Sequence, residues 1–309
     1  AFSRRRPPSG SGQEAPLPVQ RWLPERGPLE RAALVYPVSM AAAGWVGGCA
    51  VNPVTGKQQL MLISEADEIQ IDRQYAPFQI SADYGVVQDP SLNAYIEQVG
   101  KNLVPRTHRP HMPYSFRAVN ANYVNAYAFP GGSIACTRGI LLALEDEAEL
   151  AALLGHELGH VNARHTAAHM SKGMLTQIVV GSLSAVAAGV GGSFVGQITS
   201  QLGMVGAGAL LASYSRDNER EADALGMEYM VRAGYSPKGM VELMDMLRSL
   251  SKTRPSSIEL MFATHPMSDE RYATAVKTSQ TQYGAAQNLP LYRERYMDQT
   301  ARLRLLKGA

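Results

Sequence analysis

Residues 154–160 read Leu-Gly-His-Glu-Leu-Gly-His, and no other segment constrains the chain as much. On an α-helix His156 and His160 stand one turn apart on one face, so both imidazoles can reach a single ion. Glu157 lies about 100° round the helix from His156, where it reaches a water on that ion and not the ion itself. Leu150, Leu153 and Leu154 make one side of the same helix apolar, so it must be packed. Imidazoles with a carboxylate and one open position are the donors of a catalytic zinc site. One Zn2+ per chain is therefore expected, held by His156 and His160, with Glu157 as the general base.

A catalytic zinc needs a third protein ligand. Continuation of the helix as His-x-x-Gly-x-x-His is excluded: Ala163 stands where the Gly belongs and Thr166 where the His belongs. On a continued helix His165 points about 140° from His160. His169 is also off the face, so both are expected at the surface or behind the ligands. The alternative is an acid on a later helix. Residues 215–226 read Ser-Arg-Asp-Asn-Glu-Arg-Glu-Ala-Asp-Ala-Leu-Gly. Glu219 and Asp223 are one turn apart, so Glu219 can bind the ion while Asp223 fixes the tautomer of a ligating histidine. Glu221 faces elsewhere and is expected to be solvated. Alone, this run would pass for an ordinary charged helix face; paired with the histidine motif it reads as a ligand helix.

Local signals supply a scaffold around these motifs. Ser64 and Asp67 have capping-box spacing and predict a helix through Ile69, Ile71 and Tyr75. Asp89-Pro90 predicts a second, with Leu92, Tyr95, Ile96, Val99 and Leu103 on one face. Pro105–Pro113 cannot be regular, and its His108 and His111 are expected at the surface. Tyr114–Val119, Tyr123–Phe129 and Ser133–Thr137 read as strands, the last two joined by a turn at Pro130-Gly131-Gly132. From Glu145 onward the pattern is helical, with a further start at Ser236-Pro237 and one amphipathic helix over Leu291–Leu306.

Of the 309 residues 45% are hydrophobic and 18% charged, which excludes a disordered chain or a coiled coil. Basic and acidic side chains number 29 and 27, a balance that gives no nucleic-acid footprint. Two cysteines are too few for a disulfide framework or a cysteine zinc site. Residues 1–31 are rich in Arg, Pro, Gly and Ser. A charge-free stretch from Ala32 to Gly48 follows and ends at Val46-Gly47-Gly48-Cys49. This reads as a signal segment over 1–48. The end resembles a bacterial lipobox, in which Cys49 becomes the lipidated first residue. Residues 49–62 then read as a turn-rich linker, 63–280 as the catalytic domain and 281–309 as a helical tail.

The paired motifs, Gly-His-Glu-Leu-Gly-His with Glu219-Arg-Glu-Ala-Asp223, resemble the gluzincins of metallopeptidase family forty-eight, which includes CAAX prenyl proteases, HtpX, Oma and BepA. Asn125-Ala126-Tyr127-Ala128-Phe129-Pro130-Gly131-Gly132 is similar to the edge strand before the metal helix in that family. Thr264-His265-Pro266 with Arg271 is similar to its closing motif. The resemblance covers roughly residues 60–280. It implies an α+β, mainly α, zincin-like fold with a small sheet and a zinc endopeptidase activity. Asn125, Ala126, Tyr127 and Ala128 would bind an extended peptide, and Arg271 and His265 would be candidates to stabilise the oxyanion. In one branch the corresponding histidine fills the zinc's open position, so His265 is also a candidate gate. The lipoprotein branch would act in the bacterial periplasm, tethered to the outer membrane. Unfolded or misassembled envelope proteins would be its substrates and the outer-membrane assembly machinery a partner.

No charged residue occurs between Lys172 and Arg216. Ser, Gln, Ala and Gly interrupt the apolar residues there. The run is expected to form a buried or lid-like helical hairpin over the active site, in preference to a membrane insertion.

Overall fold

The computed structural model describes residues 49–187 and 213–305. The expected signal segment and residues 188–212 of the uncharged run lie outside the described residues. Among the described residues no helix is long and apolar enough to cross a membrane.

The segment expected as a linker is a hairpin. Strand β1 (Cys49–Val51) pairs antiparallel with β2 (Gln58–Leu60), Cys49 opposite Leu60. Asn52 Oδ1 accepts from the amides of Val54 (2.8 Å) and Thr55 (3.1 Å), and Gly56 takes φ +68°, closing the turn. Just beyond β2, Met61 and Ile63 find apolar partners in Ala167 and Met170. That burial makes the segment part of the fold rather than a tether.

Helix α1 (Glu65–Ala82) starts at the Ser64–Asp67 capping box. Helix α2 (Pro90–Leu103) starts at Asp89, whose carboxylate accepts from the amides of Ser91 and Leu92. Strands β3 (Ser115–Val119), β4 (Ala126–Ala128) and β5 (Ser133–Thr137) form one sheet in the order β3-β5-β4. The β3–β5 pair is parallel and the β4–β5 pair is an antiparallel hairpin, turned at Gly132 with φ +108°. Strand β4 is shorter than expected and forms a sheet edge.

The helical part comprises α3 (Arg138–Ala143), α4 (Glu147–Asn162), α5 (His165–Ala187), α6 (Arg216–Arg232), α7 (Lys238–Thr253), α8 (Pro255–Thr264) and α9 (Asp269–Thr281). Every residue of α4 is buried, so it is the axis on which the rest packs. The tail is helical but not separate from the main core. The single helix expected over Leu291–Leu306 is instead α10 (Arg293–Gln299) and α11 (Ala301–Leu305), broken at Thr300. Thr300 Oγ1 bonds back to the Tyr296 carbonyl at 2.8 Å, a local competitor of the helix ladder. Buried Tyr296 donates to the Leu141 carbonyl at 2.6 Å, and Leu303 joins the main core.

Candidate metal centre

Helix α4 opens with a capping box: Asp146 accepts from the Glu149 amide and the Glu149 side chain returns to the Asp146 amide. It lies against α6 at backbone distance. A Cβ on Gly155 would stand 2.9 Å from the Gly226 carbonyl oxygen, one on Gly159 2.9 Å from Ala222 Cα, and one on Gly226 2.7 Å from the His156 amide nitrogen. Only glycine permits that approach. It brings one face of α4, carrying His156 and His160, onto the face of α6 that carries Glu219 and Asp223.

The Nε2 atoms of His156 and His160 are 3.1 Å apart. Glu219 Oε1 lies 3.4 Å from His160 Nε2, and its Oε2 lies 3.7 Å from His156 Nε2. His265, just past α8, joins them with Nδ1 at 3.3 Å from His156 Nε2 and 3.2 Å from Glu219 Oε1. One ligand atom from each of these four buried residues lies within 4.8 Å of all the others. Glu157 is buried beside them, 3.8 Å from His265 Nε2.

The outer ring nitrogens are engaged. His156 Nδ1 is 2.9 Å from Asp223 Oδ1, and His160 Nδ1 is 3.0 Å from His165 Nδ1. If those Nδ1 atoms carry the protons, two Nε2 lone pairs face each other across 3.1 Å. Tetrahedral zinc with bonds of about 2.0–2.1 Å holds its nitrogen ligands roughly 3.3 Å apart. Glu157 Oε1 is also buried without a hydrogen bond, and Glu219 Oε2 has the Arg271 guanidinium as its ion-pair partner at 2.6 Å. Facing imidazole lone pairs beside a buried carboxylate are the donors a divalent cation requires.

Electrostatics sorts the carboxyls. Burial pushes Glu157 upward, only partly offset by His265 and His156. Burial would also raise Glu219, but His265, His160 and His156 hold it well below the usual carboxylate range. Asp223 follows the same pattern: burial opposes ionisation, and hydrogen bonds from Arg271 and His156 win. Burial drives His160 well below the ordinary imidazole value, which favours the neutral ring a metal needs.

The Peptidase family M48 model matches residues 90–279, more than half of the chain. The chain belongs to peptidase family M48. It is 33% identical over 205 residues to the Beta-barrel assembly-enhancing protease of Yersinia pestis, covering 64% of this chain and 41% of that protein. To the protease of the same name in Escherichia coli (strain K12) it is 26% identical over 242 residues, covering 77% and 49%. It is 35% identical over 160 residues to Metalloprotease YcaL of Escherichia coli (strain K12), covering 52% and 59%. The chain thus spans about half the length, or less, of the barrel-assembly proteases it matches. Membership of M48 makes it a metallopeptidase-family chain and accords with the mainly helical fold and its His/Glu cluster.

Several M48-related residues sit elsewhere than the sequence led us to expect. Arg271 faces the carboxylates, not a substrate oxyanion. Its Nε and Nη2 each donate to Asp223 at 2.7 Å, Nη1 donates to the Pro266 carbonyl at 2.9 Å, and Nη1 pairs with Glu219 Oε2 at 2.6 Å. With its donors so engaged it holds α6, and the oxyanion role is withdrawn. Glu221 is not simply solvated: its Oε2 lies 3.0 Å from His165 Nε2. His165 is buried behind His160 because α4 ends at Asn162 and the chain turns at Arg164, which takes φ +59°. Arg164 is fastened there by Glu68 (3.1 Å) and the Ile63 carbonyl (2.7 Å). Of the two places expected for His165, the surface and behind the ligands, it takes the second.

His169 reaches Asn218 at 3.2 Å, and His108 and His111 are exposed, bonded to Tyr229 and Glu65. Tyr214 was missed. Its ring stacks on His160 with centroids 3.8 Å apart, and its hydroxyl meets Thr166 at 2.9 Å. It closes the uncharged run, where nothing local marks it.

A groove of about 280 Å³ leads to His265. Its walls include Phe78 of α1, Tyr127 and Phe129 of the β4 hairpin, Leu260 of α8, and Tyr214. The Asn125 carbonyl accepts from the Thr137 amide and the Phe129 amide donates to Ser133, so Tyr127 takes the same orientation toward β5. Alternation turns the amides and carbonyls of Ala126 and Ala128 away from β5, along the open edge.

Proposed function

We propose that this chain is a zinc-dependent endopeptidase of the bacterial envelope that cuts unfolded or misassembled proteins held in extended form. The observation that carries the reading is the convergence of His156, His160 and Glu219 with Glu157 buried beside them. His156, His160 and Glu219 would hold the ion. The chemistry a zinc would supply there is acidification of a water and polarisation of the scissile carbonyl. Glu157 would serve as the proton acceptor and would return the proton to the leaving amine. Its raised affinity for protons, the result of burial, suits a group that must both accept and give back. Asp223, clamped by Arg271, keeps the His156 ring turned so that Nε2 faces the ion.

Ala126 and Ala128 supply the backbone groups for an added substrate strand, with Asn125 and Tyr127 anchoring β4 to the sheet. Backbone pairing recognises an extended segment with little sequence choice. The apolar groove wall adds a preference for segments that a folded protein would bury. His265 lies where a fourth ligand would, so access for substrate requires that it swing out; in that displaced position it can face the oxyanion. Two relatives are named as barrel-assembly-enhancing proteases, and by analogy the substrates include outer-membrane proteins awaiting assembly. A periplasmic location with a lipid anchor at Cys49 fits the lipobox-like sequence.

The test is zinc content together with casein cleavage, comparing the wild type with Glu157→Gln. The reading expects about one zinc in each and cleavage only by the wild type. A wild type that binds no metal would sink it. Zinc in both with no cleavage by either moves attention to His265, and His265→Ala should then release activity.

A further inference from the structure

The two ligand histidines are backed unequally. Asp223 meets His156 Nδ1 directly at 2.9 Å. Behind His160 stands another imidazole: His165 Nδ1 is 3.0 Å from His160 Nδ1, and His165 Nε2 is 3.0 Å from Glu221 Oε2. We propose that Glu221 and His165 form a two-residue positioning relay that sets the tautomer of His160 and thereby its grip on the metal. The inference rests on the metallopeptidase reading and adds to it two residues outside the ligand set and the catalytic base.

The order of protons follows from what each group can do. A carboxylate only accepts, so His165 presents Nε2–H to Glu221. A neutral imidazole with its proton on Nε2 has an acceptor at Nδ1, so His160 donates from its own Nδ1 to His165. The Nε2 of His160 is then left with a bare lone pair aimed at His156 and Glu219, as ligation requires. The reverse order fails. With a proton on His165 Nδ1, His160 would accept at Nδ1 and carry its own proton on Nε2, inside the cluster, where it could not bind an ion.

The fold builds this relay at several points. The left-handed turn at Arg164 redirects the chain so that His165, the first residue of α5, comes back against His160. Buried Glu68 holds that turn, and its other oxygen pairs with Arg109 at 2.6 Å. His165 is 3% exposed and its ring stands edge-on to that of His160. Glu221 comes from α6, between Glu219 and Asp223, so one helix would supply a ligand, a direct backer and an indirect one. Sequence spacing alone hides this, because Glu221 points away from the other two acids.

Zinc affinity, measured on the full chain by competition with a chromophoric chelator, tests the relay. Glu221→Ala and His165→Ala should each weaken zinc binding roughly 10–100-fold. The double variant should be no worse than His165→Ala alone, because the two act in series. His165→Gln, with an amide oxygen to accept and an amide nitrogen to donate, should recover part of the loss. Glu228→Ala, on the same helix but paired with Arg232 and away from the metal cluster, should bind like the wild type.

The unfolding midpoint of metal-free Glu221→Ala should match the wild type, which a merely structural role would not predict. Should His165→Ala fail to fold, ring-15N NMR of the zinc-loaded wild type decides the same point. The relay expects Nδ1–H on His160 and Nε2–H on His165. Wild-type zinc binding with unchanged affinity in Glu221→Ala, additive losses in the double variant, or the opposite tautomers would overturn the relay and leave the peptidase reading standing. A wild type that holds no zinc would overturn both.

Discussion

Buried carboxyls flank helix α4 at both ends, and Asp146 and Glu149 at one behave oppositely to Glu219 and Asp223 of α6 beside the other, while Glu157 on α4 itself is pushed up by burial. At the N-terminal end burial pushes Asp146 and Glu149 upward, Glu149 to about 7, because backbone amides are their main compensation and Asp146 and Glu242 crowd Glu149. At the C-terminal end burial is as severe, yet three imidazoles and Arg271 hold Glu219 and Asp223 down. Desolvation opposes ionisation in both places. The outcome is decided by how many cationic or hydrogen-donating side chains the fold spends there. The Asp146–Glu149 pair is made easier to protonate and caps a helix; Glu219 and Asp223 are held ionised and can serve an ion.

That contrast can be broken by experiment. The largest effect belongs to Glu157→Gln. Cleavage should fall by about 10²–10⁴-fold with zinc content unchanged, since only the proton acceptor is lost. Arg271→Ala should come next. It strips the cation from two buried carboxylates, and unfolding by urea should become easier by about 3–5 kcal/mol. At the opposite end, Arg295 pairs with Glu147, which also accepts from Tyr95 and Tyr235 at 2.8 Å each. Because Arg295 is half-exposed and the tyrosines remain, Arg295→Ala should cost only about 1.5 kcal/mol in the same titration. Equal losses at the two ends would mean that the ion pairs do not set the difference.

A further test is one of pH. The Glu149 carboxyl holds its proton more tightly folded, at about 7, than unfolded, near 4.5. Its contribution to stability is complete below the unfolded value and is lost as pH rises through the folded one. Glu149→Gln should therefore flatten the decline in thermal midpoint between about pH 4.5 and 7. An identical pH profile for wild type and variant would show that Glu149 is not held protonated.

Much of the centre was legible in the sequence because helical periodicity is local. His156, His160, Glu219 and Asp223 could be assigned to faces from spacing alone. At His165 the rule gave the wrong angle but left open the place behind the ligands that it takes, because α4 ends at Asn162 and a left-handed Arg164 redirects the next helix. Arg271 was misread because a guanidinium can serve an oxyanion or a carboxylate, and only tertiary packing reveals which one it meets. The hairpin at 49–62 was missed because its turn residues also suit a linker, and the apolar surface that orders it lies a hundred residues away. The tail split at Thr300 because a back-bonding hydroxyl and a buried Tyr296 outweighed an amphipathic pattern.

The close approach of α4 and α6 through Gly155, Gly159 and Gly226 has a consequence for which ion the centre can admit. Backbones in direct contact work like a caliper: the opening between the imidazoles and Glu219 is sized by the main chain, before any side chain adjusts. Calcium, with six to eight oxygen ligands at about 2.3–2.6 Å, would need the jaws wider. Exchanging His156 and His160 for acids would therefore not convert the centre into a calcium site. Such a redesign would have to begin at the glycines.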